Sequence, residues 1–107
     1  MGFLNSNDKR QFRPDKLAKN NLFETEHMFC DLYCLEPGQE QKVHSHAGAT
    51  KFYYVLEGTG VFTVGDAERE LSPGGVAWSA PGEPHGVRNG SQERLVCLVA
   101  MGPNPNG

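Results

Sequence analysis

Residues 38–58, GQEQKVHSHAGATKFYYVLEG, combine two strand-like segments with a closely spaced pair of histidines. Side chains of a strand alternate between its two faces, so the spacing predicts that His44 and His46 project from the same face. Two imidazoles placed in this way can share one metal ion. On its own, such a pair of histidines more often lies on the surface or in the core without binding a metal. The rest of the sequence is needed to choose between a metal site and a structural role.

A second informative stretch, GGVAWSAPGEPHGVRN, spans residues 74–89 and contains a third histidine, His85. It begins in a glycine turn and continues as a short strand over residues 76–79. A rigid turn rich in proline and glycine follows, and residues 85–89 extend again before the turn signal Asn89-Gly90. The pattern therefore places His85 at the start of a strand.

Together the two stretches resemble the two sequence motifs of the cupin superfamily. The first motif is matched in order and spacing, with one exception at Lys51, by Gly38, His44, His46, Lys51 and Gly58. The second is matched, with its usual proline displaced from position 80 to 81, by Gly74, Pro81, Gly82, His85 and Asn89. The resemblance spans residues 38–89, about half of the chain.

This resemblance implies an all-β fold, the double-stranded β-helix or jelly-roll barrel with antiparallel strands. In that family the histidines of both motifs converge on one metal ion in the mouth of the barrel. The resemblance assigns this role to His44, His46 and His85. The expected ion is a divalent transition metal, iron if the protein is an oxygenase, with manganese, nickel, cobalt and zinc as alternatives.

The chain departs from the family pattern at Lys51, which stands where the first motif has glutamate. A protonated ammonium group has no acceptor, so it cannot ligate a metal, and a divalent cation repels it. Lys51 must therefore turn toward solvent, pair with an anion or lose its proton. Turned outward, it leaves a neutral centre that resembles the three-histidine dioxygenases among the cupins. Turned inward, it can hold a carboxylate or enolate substrate or act as a base.

Tyr53 shares the strand parity of Lys51 and faces the barrel lumen if Lys51 does. Its phenol would then donate to an oxygen on the metal, although most tyrosines in such strands are packing residues. Lys51 and Tyr53 are accordingly the candidate catalytic residues. Core positions are expected for Phe62, Trp78 and Cys97, and a surface position for His27.

The rest of the chain divides into a polar N-terminal arm, residues 1–24, and a single barrel domain, residues 25–107. The predicted strands cover residues 28–35, 41–46, 51–57, 61–64, 68–71, 76–79, 85–89 and 95–101. Eight short strands separated by turn signals favour an antiparallel sandwich or barrel. The first of these strands is apolar on both faces, which predicts burial on both sides.

Composition argues against several classes of function. Ten Lys and Arg residues against 13 Asp and Glu give a net charge of -3, and no basic run occurs, so no nucleic-acid partner is expected. The longest apolar run is far too short to span a bilayer, and no export signal is apparent, so we expect a cytoplasmic protein without a membrane partner. The three cysteines lie in apolar runs and are expected to be buried free thiols.

Two functional hypotheses follow. The first is a small metal-dependent enzyme, dioxygenase-like or isomerase-like, that acts on a small organic molecule. The alternative is a non-catalytic module that binds a small ligand, a sugar or an organic acid, beside a decayed metal site. A purely structural cupin fits an intact histidine triad poorly. The expected partners are a small-molecule ligand and a second copy of the chain, because the two-sided apolar strand offers a surface for a homodimer.

Overall fold

The computed structural model describes residues 2–105, whose secondary structure consists of strands apart from one short 3-10 helix, Ser6–Lys9. The strands within this part of the chain are β1 (Ala18–Glu24), β2 (Phe29–Leu35), β3 (Glu40–His44), β4 (Thr50–Glu57), β5 (Gly60–Val64), β6 (Ala67–Leu71), β7 (Val76–Ser79), β8 (His85–Arg88) and β9 (Leu95–Gly102). The all-β class predicted from the sequence is confirmed. The last two residues of the predicted domain, 106 and 107, lie outside the described residues.

The strands form two antiparallel sheets. The larger has the strand order β1-β2-β9-β4-β7, and the smaller has the order β3-β8-β5-β6. From β2 onward the chain crosses between the sheets at every connection except that from β5 to β6, which wraps the two sheets around a common core. This is the double-stranded β-helix that the resemblance implied.

The space between the sheets is filled by inward-facing side chains that alternate along each strand with outward-facing ones. These buried core residues are Tyr33, Leu35, Tyr53, Val55, Phe62, Ala77, Val87, Leu95, Cys97 and Val99. Burial of such apolar surface stabilises the fold by about 25 cal/mol per Å². Phe62 and Cys97 are in the core as predicted, but Trp78 is not, because its side chain lies on the outer face of β7 and is 65% exposed.

Strand β2 is buried on both faces, as its sequence predicts. Its outward-facing residues Leu32 and Cys34 belong to a second buried cluster, which Phe12 and Leu22 of the N-terminal arm cover. The chain itself therefore covers the outer apolar face of β2, and the homodimer stays a prediction. Residues 18–24 of the arm form β1 and pair with β2, so the end of the arm is part of the larger sheet.

Two turns depend on glycine. Gly58, the last residue of the first motif, has a φ of 79°, and a Cβ at this position would lie 2.1 Å from the carbonyl oxygen of Arg94. Gly65 has a φ of 60° in the tight turn between β5 and β6. Cys30, Cys34 and Cys97 are buried free thiols, as expected. Among residues 2–105, the helical part is too short and too polar to cross a membrane.

Candidate metal centre

The three predicted histidine ligands lie together at one end of the smaller sheet. His44 and His85 are directly opposite each other in the antiparallel pair of β3 and β8. Their ligand nitrogens and that of His46 all lie within 4.8 Å of one another. The structure thus brings together the three residues that the two motifs contribute.

His46 reaches this site from a loop and not from a strand. Strand β3 ends at His44, so the predicted strand over residues 41–46 is two residues too long. The backbone N–H of Gly82 donates a hydrogen bond of 2.9 Å to the carbonyl oxygen of His46. This bond ties the loop to the turn that precedes β8, and it holds His46 near the other two imidazoles.

A bulge in β3 places His44 opposite His85. The register of the β3 and β8 pair shifts between Gln41 and His44. A Cβ on Gly86 would lie 2.9 Å from the carbonyl oxygen of Gln41 and 3.0 Å from the amide nitrogen of Val43. Glycine at position 86 therefore lets the bulged strand approach β8 closely, because any side chain there would push it away.

Backbone carbonyl groups orient two of the imidazole rings. The Nδ1 atom of His44 lies 2.8 Å from the carbonyl oxygen of Lys42, and that of His85 lies 3.0 Å from the carbonyl oxygen of Glu83. A carbonyl oxygen only accepts, so both contacts are hydrogen bonds when Nδ1 carries the hydrogen, which leaves a lone pair on Nε2. Metal-bound histidines in proteins usually have this arrangement. The Oγ atom of Ser79 also lies 3.0 Å from Nδ1 of His85.

The Nε2 atom of His85 is buried and has no hydrogen-bond partner among residues 2–105. The pKa of His85 is lowered to about 4, chiefly by burial; its hydrogen bond to the carbonyl group of Glu83 opposes this shift, and the nearby charges of Lys51, His44 and His46 add to it. The ring is therefore neutral at neutral pH. A buried polar atom without a partner costs free energy, and a metal ion would satisfy this one. Three imidazole groups placed in this way fit a divalent transition metal.

Lys51 lies on β4 in the opposite sheet and does not turn toward solvent, since its side chain is only 2% exposed. Its Nζ atom donates hydrogen bonds of 3.2 Å to the hydroxyl of Tyr33 and 3.2 Å to Oε1 of Gln41. The pKa of Lys51 is lowered to about 7, chiefly by burial and also by the charge of Lys19, while Asp31 opposes this shift. Of the three alternatives for Lys51, the outward rotamer is thus excluded.

Gln41 connects Lys51 to two tyrosines. Its Oε1 atom also accepts a hydrogen bond of 2.6 Å from the hydroxyl of Tyr53, and its Nε2 donates one of 3.1 Å to the hydroxyl of Tyr33. The Tyr53 hydroxyl hydrogen is therefore engaged by Gln41. Sequence reasoning missed Gln41 and Tyr33. One signal was available, because Asp31 and Tyr33 share a parity on β2 and a charged residue inside an apolar strand marks a polar environment.

His44, His46 and Lys51 line a cavity of about 470 Å³. His44 and His46 line one side, and Lys51 and Tyr33 belong to the opposite sheet. The register across β2, β9 and β4 places Phe29, Met101 and Lys51 side by side on that sheet. A volume of this size lies within the range of small-molecule sites in proteins.

A double-stranded β-helix with three histidines at its mouth defines the cupin class of protein. The family model of the cupin domain matches residues 31–101, so the chain belongs to the cupin family. The confirmed family accounts for the two motifs and for the paired sheets.

Two solved structures and one curated relative illustrate this membership. The crystal structure of TT1209 from Thermus thermophilus is 45% identical, covers 98% of this chain and 100% of that chain, and has a TM-score of 0.95. An RmlC-like cupin protein from Desulfovibrio desulfuricans is 30% identical and has a TM-score of 0.84. The match covers 96% of this chain and 97% of that chain. The oxalate-binding protein of Thermotoga maritima is 31% identical over 67 residues, which are 63% of this chain and 55% of that protein. The chain spans about half the length of the curated relatives it matches.

Proposed function

We propose that this protein holds one divalent transition metal on His44, His46 and His85 and binds a small organic molecule in the adjoining cavity. The unpartnered Nε2 of the buried His85 carries this proposal. It lies in a group of ligand nitrogens within 4.8 Å of one another, and two of the three rings are oriented by backbone carbonyls. Such an arrangement is costly without an ion and favourable with one.

We propose a dioxygenase-like or isomerase-like reaction for this site. A bound metal would supply Lewis-acid polarisation of a ligand oxygen and, if it is iron, oxygen chemistry. His44 and His46 line the cavity, so a molecule in it lies beside the ligand set. Lys51 faces the same cavity and is the candidate catalytic residue that would touch the substrate. Tyr53 would act through Gln41, to which its hydroxyl is bonded.

A non-catalytic ligand-binding module is the second candidate. The relative from Thermotoga maritima is named for binding oxalate, a small organic acid, and not for a reaction. The lysine at the family's glutamate position also supports this alternative, because it removes a negatively charged ligand from the centre. Both candidates use the same cavity.

Elemental analysis tests the proposal and separates the two candidates. Protein purified without chelators is compared with the His46→Ala and His85→Ala variants, and with His27→Ala, whose histidine side chain is 86% exposed outside the site. We expect close to one metal per chain in the wild type and in His27→Ala, and a large loss in the other two. Full metal content in all variants would contradict the proposal that these histidines hold the metal.

The identity of the metal then selects the chemistry. Iron would favour the oxygen-using enzyme, whereas zinc, nickel, cobalt or manganese would favour Lewis-acid chemistry. A wild-type protein that takes up no metal even after reconstitution would support the ligand-binding module and overturn the metal-dependent proposal.

A further inference from the structure

The network around Lys51 contains more hydrogen-bond donors than acceptors. A lysine ammonium has three N–H groups, and Lys51 uses two of them, on Tyr33 and Gln41. The Tyr33 hydroxyl accepts from both Lys51 and Gln41, and its own hydrogen has no acceptor among residues 2–105. When Lys51 is protonated, its ammonium group can only donate, so the atom of Gln41 that faces it is the acceptor Oε1, which also accepts from Tyr53. One N–H of Lys51 and the O–H of Tyr33 are thus unused within the described chain.

Both unused donors belong to buried side chains, since Lys51 and Tyr33 are each 2% exposed. Both residues nevertheless line the cavity beside the histidines. A further acceptor in the cavity could therefore reach them. Lys51 also forms no ion pair with a carboxylate in this part of the chain. Burying an ammonium group without a negative partner is unfavourable, so an anion in the cavity would stabilise it.

The charges around the cavity also favour an anion. Lys19 lines it, with its Nζ 5.6 Å from the centre of the Tyr33 ring. Asp31 is the single acidic residue in the lining, and its Oδ1 accepts a hydrogen bond of 2.9 Å from Asn21. When Lys51 is protonated, two lysines against one aspartate leave the lining positive, and a divalent ion on the histidines would make it more so.

We propose that the cavity binds a small organic acid, whose carboxylate accepts hydrogen bonds from the Lys51 ammonium and the Tyr33 hydroxyl while a second oxygen of the same molecule lies toward the histidines. This inference deepens the proposed function and rests on it for the contact with the metal. It selects acids over neutral sugars as the ligand class. It also explains why lysine can stand at the position where the family motif has glutamate. With lysine there, the carboxylate at the site comes from the ligand and not from the protein.

Calorimetric titration with oxalate and with oxamide, its neutral counterpart of similar shape, tests this assignment. The protein is used both metal-free and loaded with zinc, and the metal content is measured after each titration because oxalate chelates metals. The variants are Lys51→Met and Tyr33→Phe, which each remove one donor. Lys16→Met is the matched control, since Lys16 is exposed on the arm outside the cavity. Asp31→Asn removes the one acidic group from the lining.

The zinc-loaded wild type is expected to bind oxalate and to bind oxamide at least about tenfold more weakly. Lys51→Met is expected to lose oxalate affinity by about tenfold to a hundredfold, and Tyr33→Phe by about threefold to tenfold. Lys16→Met should match the wild type, and Asp31→Asn should bind oxalate more tightly. Equal oxalate affinity in Lys51→Met and wild type would overturn the assignment.

The metal-free titrations separate this inference from the proposed function. Weak oxalate binding that still depends on Lys51, in a protein that takes up no metal, would support the acid site and overturn the metal centre. Stoichiometric metal binding together with oxalate binding that does not depend on Lys51 would support the metal centre and overturn the acid site.

A second measurement does not depend on the fold of any variant. In wild-type protein carrying ¹³C at the lysine Cε, oxalate should shift the signal of Lys51 and leave that of Lys16 unchanged. Saturating oxalate without any change at Lys51 would contradict the contact.

Discussion

Oε1 of Gln41 in β3 accepts a hydrogen bond of 3.2 Å from Nζ of Lys51 in β4. This bond connects the two sheets at the wall of the cavity that the histidines also line. Because Gln41 and Tyr33 hold the ammonium group, the lysine stays inside the barrel and its described hydrogen bonds do not involve a histidine. The lysine and the histidine cluster thus form two separate parts of one site.

The first prediction concerns the pH dependence of stability. Burial lowers the pKa of Lys51 from 10.5 to about 7, so the unfolded chain binds this proton more tightly than the folded one. Between these two values the free energy of unfolding therefore rises with pH, by up to about 1.4 kcal/mol per pH unit, and the penalty on the folded state is largest below the lower value. Denaturation of wild type and Lys51→Met from pH 6 to pH 10 measures this difference. A difference that does not change with pH would show that Lys51 titrates normally.

The second prediction concerns the charge at position 51. Lys51→Glu places a carboxylate at the family's position and replaces a repelled neighbour of the cation by an attracted one. Zinc affinity should rise about tenfold or more, while oxalate affinity falls. Competition with a coloured chelator measures the first effect and calorimetry the second. Unchanged zinc affinity would mean that position 51 does not face the metal.

Tyr53→Phe separates a structural from a direct role of the Tyr53 hydroxyl. This hydroxyl donates to Gln41 at 2.6 Å and is buried. The variant should lose about 1 kcal/mol of unfolding free energy and keep its full metal content. Chemical denaturation and elemental analysis of the same preparation provide both values. A folded variant that has lost its metal would show that Tyr53 acts on the centre directly.

Gly86→Ala tests the close contact that places His44 opposite His85. The new methyl group would lie 2.9 Å from the carbonyl oxygen of Gln41, so β3 must move away from β8. We expect a loss of about 1–3 kcal/mol in stability and a weaker zinc site. Gly90→Ala is the matched control, because a Cβ there meets no atom within 4 Å. Equal zinc affinities in the two variants would contradict a positioning role for Gly86.

The fold was predictable because its strands and turns are marked by local sequence patterns. Turn residues and alternating apolar residues marked eight of the strands, and the two motifs placed the histidines relative to them. Strand β1 escaped detection because its polar segment, Lys19 to Asn21, resembles a loop and becomes a strand only by pairing with β2. Trp78 was predicted to lie in the core, but β7 is an edge strand and its alternate residues face outward.

The candidate site was predictable only in part, because its members come from distant parts of the chain. The motif spacing identified the histidines, yet the loop that carries His46 depends on a backbone bond to Gly82. Parity predicted that Lys51 and Tyr53 share a face, and both are buried. Their partner Gln41 lies on the other sheet, and no local pattern relates it to Tyr33. Contacts across the barrel follow from tertiary packing, which a single sequence does not reveal.

Anomalous diffraction from crystals grown with zinc or cobalt, recorded on both sides of the absorption edge of the metal, locates the ion that the three histidines are proposed to hold. We expect one strong peak within bonding distance of His44, His46 and His85, close to the cavity wall opposite Lys51. A peak elsewhere on the chain, or none at the three histidines in crystals where the metal is bound, would contradict this expectation.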